Sequence, residues 1–281
     1  MRRLRIPGAL CLALLLWPAG RASAQNLFEV QVFPDENLGR GETELEFDNV
    51  VMPAGTRLPD SMVDPSTHVH VSLELSHGWT DSFETGVFVE TSPALGDDHA
   101  GFTGFHFRPK FRFSSWNRVP FHVSLAIEYA FIKQPGDTAF RQAIAIVPIL
   151  ERHIRRVDMS FNPGIEIAVR GPDTGTSPVF EPSAKVASRL TRTLWAGVEY
   201  YAETGPIRHF EPLAEQHHLI FPAIDLRTSA GWDINVGVGR GLTGGSEHWV
   251  FKSIVGMQLP RWRGEPNGGH SQVTDRLRST N

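Results

Sequence analysis

Charged side chains recur at every second position along several apolar stretches of this 281-residue chain. Arg108, Lys110 and Arg112 form one such basic ladder, with a proline and a phenylalanine between them. Alternate residues of a β-strand lie on the same face, so a strand would place these three cations side by side. Charges removed from water must be paired or hydrated. A face of this kind therefore suits either an ion-pair network or a water-filled polar channel.

The alternation predicts a larger set of charged residues that face the interior of a closed β structure. These predicted lumen residues are Arg108, Lys110, Arg112, Glu128, Asp158, Glu166, Glu181, Lys185, Glu199 and Asp233. Two interpretations remain open at this point. The charges pair with one another and stiffen the structure, or the basic ladder faces acids across a lumen and forms a polar constriction for a solute.

Enzyme and metal chemistry find little support in the sequence. His68 and His70 would share a strand face, and His217 and His218 are adjacent, but a metal site needs three or four converging ligands. The Gly-rich turn at 239–241 lacks the Lys-Ser/Thr pair of a phosphate-binding loop. We find no serine-hydrolase motif either, and therefore predict no enzyme activity, no metal and no cofactor.

The elements that carry these charges alternate with period two. From Phe121 to Phe131, each odd position is large and apolar, and each even position is small, polar or charged. The same pattern predicts twelve strands, with 27–33 as a possible extra one. Their ranges are 41–51, 66–77, 83–91, 101–114, 119–132, 139–151, 155–170, 179–191, 194–204, 216–227, 231–240 and 247–260.

Strand length favours a membrane barrel over a soluble sandwich. A tilted strand needs about 9–11 residues to cross a bilayer, whereas strands of soluble proteins average about five to six. We predict an all-β fold, a single antiparallel up-and-down transmembrane β-barrel of about 12 strands.

Five prolines inside the predicted strands argue against this fold, since each removes a ladder donor. They are Pro109, Pro148, Pro163, Pro182 and Pro222.

The first 24 residues have the features of an export signal. Arg2, Arg3 and Arg5 precede an apolar core, and Ala22-Ser23-Ala24 is a cleavage site. Removing residues 1–24 takes away four arginines and no acid, which changes the formal net charge from −4 to −8. An acidic chain is a poor nucleic-acid binder. Residues 25–40 would be a periplasmic lead-in, 41–262 the barrel, and 263–281 a polar tail, which we expect to be disordered.

Two stretches resemble a known family. Gly78 to Val87 reads as strand, turn and strand, and Ser229 to Thr243 with Trp249 to Gly256 forms a second such pair. They are similar to the outer-membrane β-barrel transporters assigned to a meta-cleavage pathway of phenol degradation. The resemblance implies an outer-membrane location, contact with lipids and the barrel-assembly machinery, and uptake of small, hydrophobic or aromatic solutes. Barrels usually end on an aromatic residue, whereas here a polar tail follows the last strand.

Three functions remain open from the sequence. The first is a passive channel or uptake protein for small solutes in the outer membrane. The second is a non-conducting barrel with a structural or surface role. The third is a soluble periplasmic β protein that binds an apolar ligand, in which the apolar face would be a core.

Overall fold

The computed structural model describes residues 30–53, 67–92, 101–113, 120–133, 140–171 and 174–260. Within them, twelve strands form, each overlapping one of the twelve predicted ranges. They are β1 (Thr43–Met52), β2 (His68–Thr80), β3 (Phe83–Ser92), β4 (Gly101–Arg112), β5 (His122–Ile132), β6 (Arg141–Ile154), β7 (Val157–Arg170), β8 (Val179–Arg189), β9 (Leu194–Glu203), β10 (His217–Arg227), β11 (Trp232–Gly241) and β12 (Trp249–Leu259). The predicted signal peptide and polar tail lie outside the described residues.

The strands close into one antiparallel barrel. Each strand pairs with the next along the chain, and β1 also pairs with β12. At this closure Thr43 lies opposite Leu259 and Val51 opposite Phe251. Closure leaves no strand edge with unpaired backbone groups. The predicted fold class is thereby confirmed. No helix among the described residues is long and apolar enough to span a membrane.

The two parities of each strand face opposite sides of the wall. Leu75, Phe107 and Val198 point outward and are 50%, 43% and 46% exposed. On the other parity, His106 and Glu199 are 0% and 1% exposed. The barrel is therefore apolar outside and polar inside, the reverse of a soluble sandwich.

Four of the five strand prolines lie in a gap of one ladder, whereas Pro182 is paired with Pro163 across β7 and β8. Between β6 and β7, pairing stops at Ile146–Ile165 and resumes at Leu150–Phe161, and the gap contains Pro148 and Pro163. Pro222 lies in a similar gap between β10 and β11. Proline has no N–H to donate, yet the register is the same on both sides of each gap. The closed barrel thus tolerates these prolines by omitting a few ladder pairs.

The two ends of the barrel differ in the length of their connections. Turns at 81–82, 155–156, 190–193 and 228–231 share one end with the start of β1 and the end of β12. We call this end the turn rim. The described connections 204–216 and 242–248 lie at the other end, the loop rim. They pack together there, because Thr243 Oγ1 donates to the Gln216 carbonyl at 2.6 Å and Gly245 N to the Ala214 carbonyl at 2.9 Å.

A lipid-facing outer surface predicts a depth-dependent cost for arginine. Ile127→Arg, at the middle of β5, should reduce the free energy of unfolding in lipid vesicles by about 2–4 kcal/mol. Ile154→Arg, at the turn-rim end of β6, is the control and should cost about 0–1 kcal/mol. Urea unfolding followed by gel mobility with and without boiling measures both. Equal costs at the two depths would contradict the assignment of the outer face to lipid.

Candidate functional site

Residues 30–42, which we call the inner segment, run inside the barrel before β1 begins. At one end the Val30 carbonyl accepts hydrogen bonds from Lys252 Nζ at 2.9 Å and Tyr201 Oη at 3.2 Å. Further along, the Asp35 carboxylate contacts Arg112 near the turn rim at 3.0 Å. The sequence predicts a periplasmic lead-in at 25–40. Of its described part, residues 30–38 contact side chains of the lumen, and Arg40 is exposed at the turn rim.

An apolar cluster anchors the inner segment in the loop-rim half. Its buried members are Val30, Val32, Val50, Met52, Tyr201, Leu219, Phe221 and Val250. The Phe221 ring lies over Gly239 of β11, where a Cβ atom would come within 2.3 Å of it. Gly239 therefore makes room for this ring, and the ring helps to bury the two valines of the inner segment.

Polar groups of the wall hold the middle of the inner segment by its backbone. Asn162 Oδ1 accepts from Phe33 N at 2.8 Å, and Asn162 Nδ2 donates to the Phe33 carbonyl at 3.2 Å. Asp35 N donates to Glu151 Oε2 at 2.8 Å. An extended segment without strand partners needs such side chains, because buried backbone groups left without hydrogen bonds are costly.

The last part of the inner segment crosses the turn rim towards β1. Lys110 Nζ donates to the Glu36 carbonyl at 2.5 Å, and Leu38 N donates to Glu84 Oε2 at 2.6 Å. Gly41 N then donates to the Gly78 carbonyl at 2.7 Å. These contacts bring the chain from the β4 wall to the start of β1.

Several predicted lumen residues form buried ion pairs with neighbours on the wall. Arg108 contacts both Glu74 carboxylate oxygens through one nitrogen, at 2.8 and 2.9 Å. Lys110 lies 3.3 Å from Glu84. Glu128 Oε1 lies 2.5 Å from His106 Nδ1, and the other ring nitrogen of this histidine lies 3.1 Å from Glu90 Oε1.

Glu199 is the centre of a second network. Its carboxylate contacts the ammonium group of Lys252 and lies 3.0 Å from that of Lys185. Tyr201 Oη donates to Glu199 at 2.7 Å and Asn235 Nδ2 donates at 3.0 Å. Lys185 also meets Asp225 at 2.6 Å.

The remaining predicted lumen residues lie closer to the ends of the barrel or are less buried. Arg141 is 3.7 Å from Glu166, and His153 is 2.6 Å from Asp158 near the turn rim. Glu181 lies half-buried on β8. Asp233 pairs with Arg227 at 3.2 Å, and its side chain is 45% exposed.

The carboxylates that pair with the basic ladder lie close to it on the wall or on the inner segment. Glu74 and Glu84 belong to β2 and β3, on the same side of the barrel as β4. Asp35, which pairs with Arg112, belongs to the inner segment. The basic ladder therefore forms ion pairs both with the neighbouring wall and with the inner segment in the lumen.

A cavity of about 440 Å³ remains beside the inner segment, mainly in the turn-rim half. Phe33 and Glu44 are among the residues that line it. Six of the ten predicted lumen residues also line it, namely Arg108, Lys110, Asp158, Lys185, Glu199 and Asp233. The volume is in the range of small-molecule sites.

Of the residues that bind the inner segment, the sequence predicted Lys110 and Arg112 as lumen residues but not Asn162 or Glu151. Asn162 and Glu151 have no distinguishing motif, and Asp35 was placed outside the barrel. The alternation that made 27–33 a possible extra strand was the one available signal, since Val30 and Val32 are the residues that enter the apolar cluster. Among the described residues, no three His, Cys, Asp or Glu side chains converge on a metal position.

Solved outer-membrane channels share this architecture. An outer-membrane channel from Pseudomonas putida F1 superposes with a TM-score of 0.62 at 10% identity, over 82% of this chain and 100% of that one. The NanC porin gives 0.53 at 7% identity, over 76% of this chain and 100% of that one. The KdgM porin gives 0.50 at 8% identity, covering 77% and 99%. The chain has the fold of outer-membrane β-barrel channels. No family model and no curated protein matches its sequence.

The position of the inner segment predicts a pattern of cysteine reactivity. Cys11 is the single cysteine and lies in the predicted signal peptide, so one cysteine can be placed at a time in the mature chain. Val32→Cys should react slowly with a water-soluble maleimide, because Val32 is 7% exposed. Arg40→Cys, at an exposed position of the same segment, is the control and should react fast. Equal rates in the folded barrel would mean that the segment leaves the lumen.

The Glu199 network predicts a large effect on stability. Glu199→Gln leaves Lys252 buried beside a neutral amide, and breaking a buried pair typically costs about 3–5 kcal/mol. The double variant Glu199→Gln/Lys252→Met should lose less than the two single variants together. Urea unfolding of the four proteins in micelles gives the coupling energy. Additive losses would show that these two residues do not stabilise each other.

Proposed function

We propose that this protein is an outer-membrane channel for small solutes whose lumen is closed by its own inner segment. The observation that carries the proposal is a polar, partly empty lumen inside a wall whose outer face is apolar. The 440 Å³ cavity shows that the inner segment does not fill the lumen completely. A protein built only to be rigid would gain from packing that space.

The outer face supports a place in the outer membrane. Phe47, Phe251 and Val89 are each more than 40% exposed, which is costly in water and favourable in lipid. Trp232 and Trp249 lie at strand ends and point outward, as an aromatic girdle does. Barrels of this kind have short periplasmic turns and longer external loops, so we assign the turn rim to the periplasm.

Export and assembly follow from the same proposal. The predicted signal peptide at 1–24 would deliver the chain to the periplasm, and the barrel-assembly machinery would insert it among outer-membrane lipids.

The lumen favours solutes with a polar or charged group. The sequence resemblance implies hydrophobic or aromatic solutes, and apolar side chains do occur inside, in the cluster around Phe221 near the loop rim. The cavity, however, is bordered by Arg108, Lys185 and Glu199. A purely apolar solute would have to desolvate these groups without replacing their hydrogen bonds.

A non-conducting barrel is the second candidate, and the inner segment favours it. Its contacts reach from Lys252 in the loop-rim half to Glu84 near the turn rim, so it obstructs much of the lumen. A soluble protein that binds an apolar ligand in its core is not supported, because the apolar side chains line the outside of the wall.

Single-channel recording in planar bilayers separates the two candidates. A variant that lacks 25–40 should conduct more than the complete mature chain, because the obstruction is gone. A variant that lacks 264–281 is the control and should conduct as the complete chain does. If the complete chain and the variant without 25–40 both fail to conduct, the barrel has no channel function.

A further inference from the structure

We propose that the β4–β5 wall around Arg108 and Arg112 is a binding site for aromatic carboxylates, and that Phe33 and Asp35 occupy it as an internal ligand. The inference rests on the proposed function, since it assigns a solute class to the same lumen. The inner segment presents an aromatic ring and a carboxylate to this wall, two residues apart.

The ring position is formed by a guanidinium group between two aromatic rings. Arg108 Cζ lies 4.4 Å from the centre of the Phe33 ring and 4.5 Å from that of Phe88. Phe88 and Arg108 belong to the wall and are 1% and 8% exposed, and Glu74 fixes the guanidinium from the side. A cation held over a ring in this way attracts any aromatic group. Phe33 supplies that group here.

The carboxylate position is formed by polar side chains of β4 and β5. Arg112 Nε lies 3.0 Å from Asp35 Oδ2, and Ser124 Oγ donates to Asp35 Oδ1 at 2.7 Å. His122 Nδ1 is 4.0 Å from Oδ2. Asp35 is 2% exposed and Ser124 is 1% exposed. Charge-assisted hydrogen bonds of this kind are among the stronger ones in proteins, and they recognise a carboxylate whichever molecule carries it.

The geometry also offers a solute a way to compete. Phe33 and Arg108 both border the 440 Å³ cavity, so a solute in the cavity lies next to the ring position. Phe33 is only partly buried, unlike the wall residues that contact it. A solute that carries both groups can take the place of both side chains, whereas an aromatic hydrocarbon or a simple carboxylate replaces one.

Competition with an internal ligand has a clear signature. The apparent dissociation constant of the solute equals its intrinsic value divided by the fraction of molecules in which the internal ligand has left the site. A substitution that removes contacts of Phe33 or Asp35 must therefore tighten solute binding. A substitution that removes contacts of Arg108 or Arg112 must weaken solute binding. A purely structural inner segment would give no gain in affinity.

Isothermal titration of the purified mature barrel in micelles with 3-phenylpropionate tests this. Phe33→Ala and Asp35→Asn should each bind the probe about tenfold more tightly than the unchanged chain, and Arg112→Gln should lose binding. Glu215→Gln is the matched control, since Glu215 is exposed in the 204–216 connection at the loop rim, and it should leave affinity unchanged. Gel mobility without boiling checks that each variant is folded.

Two related probes test the solute class. The alcohol 3-phenylpropan-1-ol lacks the carboxylate and 3-cyclohexylpropionate lacks the aromatic ring, so both should bind at least about tenfold more weakly. Equal binding of the three probes, unchanged or weaker binding by Phe33→Ala and Asp35→Asn, or no binding by any folded variant would overturn the inference. None of these results bears on whether the barrel conducts, and binding without conductance would overturn the channel function alone.

Discussion

The charges inside the barrel must be neutralised, and this requirement governs how the lumen is arranged. Strand alternation directs one side chain of every two into the lumen, and many of these are carboxylates, ammonium or guanidinium groups. A single charge left without partners in such a place costs several kcal/mol. The networks around Glu74 and Glu199 avoid this by sharing each carboxylate among several donors. Because the partners lie on different strands, the same contacts also tie the wall together around its circumference.

The inner segment also supplies partners for the buried charges. Its carbonyl groups at Val30 and Glu36 accept from Lys252 and Lys110, and its Asp35 carboxylate meets Arg112. The lysines thus gain partners in addition to those on the wall, Glu199 and Glu84, and the arginine gains the carboxylate of Asp35. In return, several backbone groups of a stretch of chain with no strand neighbours gain hydrogen bonds. Apolar packing of Val30 and Val32 at one end then fixes the direction in which the segment runs.

Obstruction and transport are compatible in such a design because the inner segment is held by side-chain contacts rather than by a β-ladder. Side-chain hydrogen bonds contribute about 0.5–1.5 kcal/mol each, and those to charged groups about 1.5–3. They can be exchanged for equivalent contacts with a solute. Ladder pairing along a whole strand could not be exchanged in this way. The wall is therefore the permanent part of the molecule, and the inner segment is the part that a solute could displace.

The wall of the barrel could be predicted from the sequence alone. Period-two alternation depends on the local geometry of an extended chain, so the stretch Phe121–Phe131 was enough to predict β5 and its two faces, and the other strands followed in the same way. The occupant of the lumen, in contrast, is set by the tertiary structure. The contacts of Asp35 with Arg112 and Ser124 join residues 77 and 89 positions apart, and no local pattern encodes them. The interruptions at Pro148 and Pro163 were also decided there, since a gap in the ladder is tolerable only when closure holds the strands in register on both sides.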